Sequence, residues 1–193
     1  MKLSSHISSI ARSTTFHIRN IGKVRKYLTQ NATEQIVHSV VVSRLDMCNS
    51  LLYGLPCTQI ECLQRIQNYA ARVITLTKKS CHITPILKEL HWLPVSSRIK
   101  FKLLLFVYYK SLTNNAPAYI DDLLNPYNPP RKLRSYNSSL LIEPISNHSW
   151  GDRSFSHAAL RLWNKLPALV KSSVSLNQFK QKLKTHLFKQ AFE

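Results

Sequence analysis

Apolar residues recur along most of this chain at the three- and four-residue spacing of a helix that buries one face, and that pattern divides it into elements. In the first thirty residues Leu3, Ile7, Ile10, Thr14, His17 or Ile18, and Ile21 fall near helical spacing, while Lys2, Arg12, Arg19, Lys23, Arg25 and Lys26 occur with no acid among them. This predicts a basic amphipathic helix whose apolar stripe is core. Asn31 followed by Glu34 has the side chains of a capping box, so a second helix is expected from about Asn31. Its apolar face is Ile36, Val37, Val40, Val41, Leu45, Cys48, Leu51 and Leu52. Gly54 and Pro56 close it, Gly54 by tolerating a left-handed cap and Pro56 because it cannot continue a helix.

Thr58 and Glu61 repeat the capping pattern ahead of a third helix. Its apolar stripe is Ile60, Leu63, Ile66, Gln67, Ala70 and Ile74, opposite Gln64, Arg65, Asn68 and Arg72, with Gln67 bordering both faces. In HITP, Thr84 is placed to cap and Pro85 to open a short helix over Ile86–Leu90, which HWLP then breaks. From Val95 a long buried helix is expected on Ile99, Leu103, Phe106 and Tyr109 or Leu112, followed by a helical turn or two in APAYIDDLL. Pro126, Pro129 and Pro130 then mark an exposed connection ending in RKLR, and the run SSLLIEPIS is compatible with a strand or an extended arm. A helix over about Ser154–Leu166, with Phe155, Ala158, Ala159, Leu162 and Trp163 on one side, precedes a last one capped by Ser175 and Gln178, whose inner stripe is Leu176, Phe179, Leu183 and Leu187. The expected fold is all-α: a helical bundle over residues 1–125, an extended Pro-rich basic arm over 126–150, and two C-terminal helices within 151–193.

Composition reinforces this, since only 3 glycines serve 193 residues and turn-rich β folds or phosphate-cradling loops would require more. Lys and Arg total 27 against 9 acids, a formal charge of +18 that suits a polyanion, foremost nucleic acid. Four cysteines and an N-terminus without a continuous apolar segment predict reduced thiols in the nucleus or cytoplasm and no secretion. Asn31-Ala-Thr, Asn137-Ser-Ser and Asn147-His-Ser are then chance matches to a glycosylation pattern. The most apolar run, Phe101–Tyr109, is far short of the ~20 residues that span a bilayer, so no membrane partner is expected.

Site chemistry is sparse. Cys57 and Cys62, then Cys81, His82 and His91, form no CxxC or HxxxH pair, so no metal or other cofactor is expected. There is no nucleophile elbow, HExxH or Gly-rich phosphate loop. The acidic pair Asp121-Asp122 follows the helix-starting Pro117, where carboxylates favour the helix dipole. Trp92 and Trp163 precede Leu-Pro and Asn-Lys-Leu-Pro, at helix ends where an indole packs into the core; Trp150, beside Gly151, is the candidate for base stacking.

RLDMCNSLLYGLP, LQRIQNYAARVI, HITPILKELHWLPVSSRIKFKLLLFVYYKSL, APAYIDDLL, GDRSFSHAALRLWNKLP and FKQKLKTHLF occur in that order over nearly the whole chain. Together they resemble the C-terminal part of the reverse transcriptase reading frame of LINE-type non-LTR retrotransposons, jockey-like and chicken-repeat-like. The opening HISSIARST is similar to the segment after that family's last palm strand. The resemblance implies the thumb and the helices beyond it, which would grip template and primer. The family's palm aspartates and endonuclease residues have no counterpart here, so no catalytic residue carries over and no enzymatic activity is expected.

Charge and resemblance together nominate Arg12, Arg19, Lys23, Arg25, Lys26, Arg65, Arg72 and Trp150 as contacts to RNA, DNA or an RNA–DNA hybrid. Two other readings fit the same residues. One is a helical protein-interaction or structural module, with a palm domain receiving the apolar stripe of the first helix; the other is a relic of a mobile element without function.

Overall fold

The computed structural model describes residues 3–113, 123–127, 140–146, 148 and 151–193. The fold is all-α, and among the described residues the only extended pairing is one isolated bridge between Pro126 and Leu141. Two compact units are present, one up to Ile99 together with Ala191–Glu193, the other from Lys100 to Gln190. In the first unit α1 is Leu3–Val24, α2 Gln30–Val37, α3 Ser43–Asp46, α4 Cys57–Thr75 and α5 Ile83–Glu89, and α6 (Val95–Thr113) begins there. In the second, α6 is followed by α7 (Phe155–Asn164), α8 (Ala168–Lys171) and α9 (Leu176–Phe192).

The α1 stripe is buried as its spacing requires, with Ile7, Ile10, Thr14, Ile18 and Ile21 facing inward, so Ile18 rather than His17 holds the fifth position. Thr14 is tolerated there because its hydroxyl donates to the Ile10 carbonyl at 2.6 Å. α4 is the hub of this unit and packs against α1, α2 and α5. Its Leu63, Ile66, Ala70, Ala71 and Ile74 are buried, and so is Gln67, at 1% exposure. Gln67 survives burial because Nε2 donates to the Leu93 carbonyl at 2.8 Å, while the Val95 amide donates to Gln64 Oε1 at 2.8 Å. These two amides fix the HWLP connection onto α4. Asp46 accepts from Arg98 Nε at 2.8 Å and also from Nη2, a two-point pair joining α3 to the start of α6. Trp92 is buried edge-on to His38, with centroids 5.4 Å apart, as the core reading of HWLP expects.

Helix ends depart from expectation more than helix faces do. α2 is capped by Thr29, whose hydroxyl accepts from the Ala32 amide at 3.2 Å, because Thr29 is extended and Asn31 already lies in the first turn. The element then widens into a π turn at His38–Val42 and, after α3, stops at Met47; Leu51 and Leu52 sit in a separate 3-10 turn entered through left-handed Cys48. Gly54, with φ 72°, closes this stretch in the left-handed conformation expected of it. α4 starts directly after Pro56, without a side-chain cap from Thr58, and α5 starts at Ile83 with His82 at its N-cap, so Thr84 and Pro85 lie within its first turn. Ser175 caps α9 as expected, accepting from the Gln178 amide at 3.2 Å while Gln178 Oε1 accepts from the Val174 amide.

In the second unit Leu103, Leu104, Val107 and Tyr108 of α6 are buried, whereas Phe106 and Tyr109 lie toward solvent. The inward face is thus turned by about one residue, because the core is set by Tyr108. Its ring stacks on Phe179 of α9 with centroids 3.7 Å apart, beside Trp163 of α7, and its hydroxyl donates to the Ser173 carbonyl at 2.8 Å. On α7 the buried residues are Ala158, Ala159, Leu160 and Trp163, with Leu160 taking the place expected of Leu162. Asn164 reads the backbone of Leu141 like a neighbouring strand: Nδ2 donates to its carbonyl at 2.9 Å and Oδ1 accepts from its amide at 3.0 Å. That, with the Pro126–Leu141 bridge, is the extended pairing of SSLLIEPIS; most of the arm and the expected helix in APAYIDD fall outside the described residues.

Burial raises the Tyr108 phenol above its ordinary 10.0. Tyr108→Phe should cost about 1–2 kcal/mol at neutral pH, since it orphans a buried carbonyl. The proton held by the folded phenol stabilises fully below pH 10 and is lost as pH rises through the raised value, so the deficit should shrink in alkali. Urea denaturation at pH 7 and above pH 10 measures both; equal stability of the two proteins at pH 7 would remove the hydroxyl from the account.

Candidate nucleic-acid interface

On α1, Arg12, Arg19 and Lys23 are exposed, as is Lys26 just beyond it, and they lie opposite the buried stripe because they fall between its positions on a 3.6-residue wheel. Phe16 sits among them at 61% exposure. Lys26 lies over the exposed Tyr27 ring, its ammonium 4.8 Å from the centroid.

Beside this face, a groove of about 680 Å³ runs between the end of α1 and the C-terminal half of α4. α4 contributes Arg65, Asn68, Tyr69, Arg72 and Val73 from one face, at spacings of three, four and seven. Gly22 and Arg25 form the opposite wall, and Leu76, Thr77 and Lys79 close the end. None of these lining residues is acidic. Arg72 Nη2 donates to the Cys81 carbonyl at 3.1 Å, which ties the loop carrying Lys79 back to α4, while Arg72 Nε is buried without an acceptor among the described residues. Asn68 Oδ1 accepts from Gln64 at 2.8 Å, leaving its NH2 group to donate.

Arg25 is the member whose role differs most from expectation. It is only 8% exposed, and its guanidinium is committed to the backbone: Nε donates to the Val73 and Ile74 carbonyls at 3.0 and 3.3 Å, Nη2 to Ile74 at 2.7 Å, and Nη1 to Leu28 at 2.7 Å. Val73 and Ile74 are in the last turn of α4, where carbonyls have no intrahelical donor. Arg25 is therefore a cap between helices and not a free phosphate contact. Its charge also offsets the partial negative charge of the α4 C-terminus, which would otherwise repel an anion from the groove.

The structure thus brings Arg65 and Arg72 together with Arg25 in one groove, sets Arg12, Arg19, Lys23 and Lys26 on exposed surface, and leaves Trp150 outside the described residues. Gly22, Tyr69, Leu76 and Lys79 are lining residues that helical periodicity does not single out. Tyr69 is the one with a visible signal, an aromatic off the apolar stripe with Arg65 four residues before it and Arg72 three after.

Other chemistry is thin. Ser154 Oγ lies 2.9 Å from His157 Nδ1, but His157 Nε2 is buried without a partner among the described residues, so no carboxylate orients the imidazole as a base. No group of three His, Cys, Asp or Glu among the described residues is arranged to hold a metal, and no described helix is long and apolar enough to cross a membrane. All four cysteines are free. Comparison with protein-family models, curated proteins and solved structures finds no match.

Arg25→Ala should destabilise the protein by about 2–4 kcal/mol, because it strips donors from buried carbonyls, and Arg25→Lys should recover only part of this, lacking the planar fork. A loss below about 0.5 kcal/mol in urea denaturation would refute the capping role. By contrast, a Cβ at Gly22 meets no atom within 4 Å, so Gly22→Ala should stabilise by about 0.5–1 kcal/mol through helix propensity, read from the same denaturation curves.

Proposed function

We propose that this chain is the thumb and post-thumb part of a LINE-type reverse transcriptase, without catalytic activity of its own, and that it binds RNA, DNA or their hybrid through phosphate contacts. The observation that carries the binding half is the groove between α1 and α4, where Arg65, Arg72 and Lys79 converge with no acid in the lining, beside the exposed Arg12, Arg19, Lys23 and Lys26. With 27 basic and 9 acidic residues, internal ion pairs can neutralise only a minority of the cations, and condensed counterions on a nucleic acid are the natural exchange partner. The family half rests on the ordered sequence blocks. Their polar residues hold the scaffold, as Asp46 with Arg98, Gln64 and Gln67 with the HWLP connection, and Asn164 with Leu141 illustrate.

The interaction-module reading started from the α1 stripe as a surface for a palm domain. Within this chain Ile7, Ile10, Ile18 and Ile21 are already buried, with α1 packed on α4, so that stripe offers no unpartnered face.

Binding of an RNA–DNA hybrid should weaken steeply and linearly in log salt. Replacing Arg65 or Arg72 by Gln should lower the magnitude of that slope by about one each and weaken all sequences alike. Fluorescence anisotropy between low and moderate salt measures this; no binding at low salt, or a slope untouched by both substitutions, would refute the phosphate role.

A further inference from the structure

We infer that the α1–α4 groove is a pocket for one unpaired nucleotide of a single strand, with the base on Tyr69 and flanking phosphates on Arg65, Arg72 and Lys79. The inference rests on the nucleic-acid reading above and adds to it a preference for unpaired strand. A duplex presents a phosphate surface and keeps its bases stacked inside, so it needs cations on a convex or flat face and has no use for an aromatic in a cleft. α1 supplies such a face. The groove has a different composition.

Tyr69 is 40% exposed although it is the largest apolar side chain in the groove lining. It lies one helical turn after Arg65 and just under one before Arg72, and those two cations are about 10 Å apart along the axis. A base stacked on the ring would therefore have a guanidinium toward each neighbouring phosphate. Val73 and Leu76 extend the apolar surface, and Leu76 is 67% exposed with φ 55°, a left-handed position where glycine would carry no steric cost. The Asn68 NH2 group is the lining donor suited to a base edge. Across the groove Gly22 leaves open space, with no atom within 4 Å of where its Cβ would stand. A volume of about 680 Å³ falls within the range of small-ligand pockets.

The test uses the whole protein and three probes: a single strand of about twelve deoxythymidines, its uridine counterpart, and a blunt RNA–DNA hybrid of equal length. Tyr69→Leu keeps an apolar side chain and removes the stacking face. Gly22→Glu puts a carboxylate into the open side of the groove at a position that accepts a side chain. Each variant should keep the helical circular dichroism of the parent and melt no lower than it. Each should weaken at least one single strand at least about fivefold more than the hybrid, whose phosphates reach Arg65 and Arg72 without using the Tyr69 ring. Equal loss on strand and hybrid, or no loss on either strand, overturns the pocket while salt-dependent hybrid binding keeps the broader reading standing. Absence of all binding at low salt overturns both.

Discussion

A single buried guanidinium sets the geometry of the first unit. Arg25 follows the end of α1 and reaches the last carbonyls of α4, forty-eight and forty-nine positions away in sequence. A buried charge is costly unless its donors are used, and here each donating nitrogen meets a carbonyl at 2.7–3.3 Å. The bonds satisfy backbone groups that water would otherwise have to serve, and they fix the distance between the ends of two helices. Arg25 and Val73 both line the groove, so the capping contact is part of its wall. The same charge counters the negative end of the α4 dipole, so one side chain both shapes the cleft and makes it tolerant of anions.

Helix faces were legible because burial imposes a 3.6-residue period, and the period survives without any knowledge of partners. Ile7, Ile10, Thr14, Ile18 and Ile21 in α1, and Leu63, Ile66, Gln67, Ala70 and Ile74 in α4, follow it directly. Helix ends were less legible, because several residue pairs near each end could serve as caps and the backbone angle chooses among them. Thr29 wins over Asn31 for that reason. On α6 the face was set by a ring stack between Tyr108 and Phe179, seventy-one residues apart, which local spacing does not encode. Arg25 was the least legible residue of the candidate site. Within Lys23-Val-Arg25-Lys26 it resembles its exposed neighbours, and only the position of Val73 and Ile74 distinguishes it.

The ordered blocks of the sequence and the basic surface carry different parts of the account. Asp46, Gln64, Gln67, Arg98 and Asn164 spend their hydrogen-bonding capacity inside the units, joining segments that are distant in sequence. Such residues specify architecture. The exposed cations of α1 specify nothing about packing, and isolated surface charges contribute little to stability even when paired. Their effect is collective: a formal charge of +18 is a self-repulsion that opposes the compact state, and any polyanion that bound the folded chain would stabilise it by mass action.

Two residues of the groove run against local preference, and they do so in opposite senses. Gly22 is in the last turn of α1, where alanine would hold the helix better and would meet no steric obstacle. Leu76 occupies the left-handed position just past α4, where glycine would remove the strain. Exchanging these preferences would give a more stable pair of helix ends, yet it would narrow the open wall and remove the exposed apolar one. Local rules that fail at two points facing the same cleft are better explained by the cleft than by either helix. The shape of the groove, rather than the stability of the elements that form it, accounts for which side chains stand there.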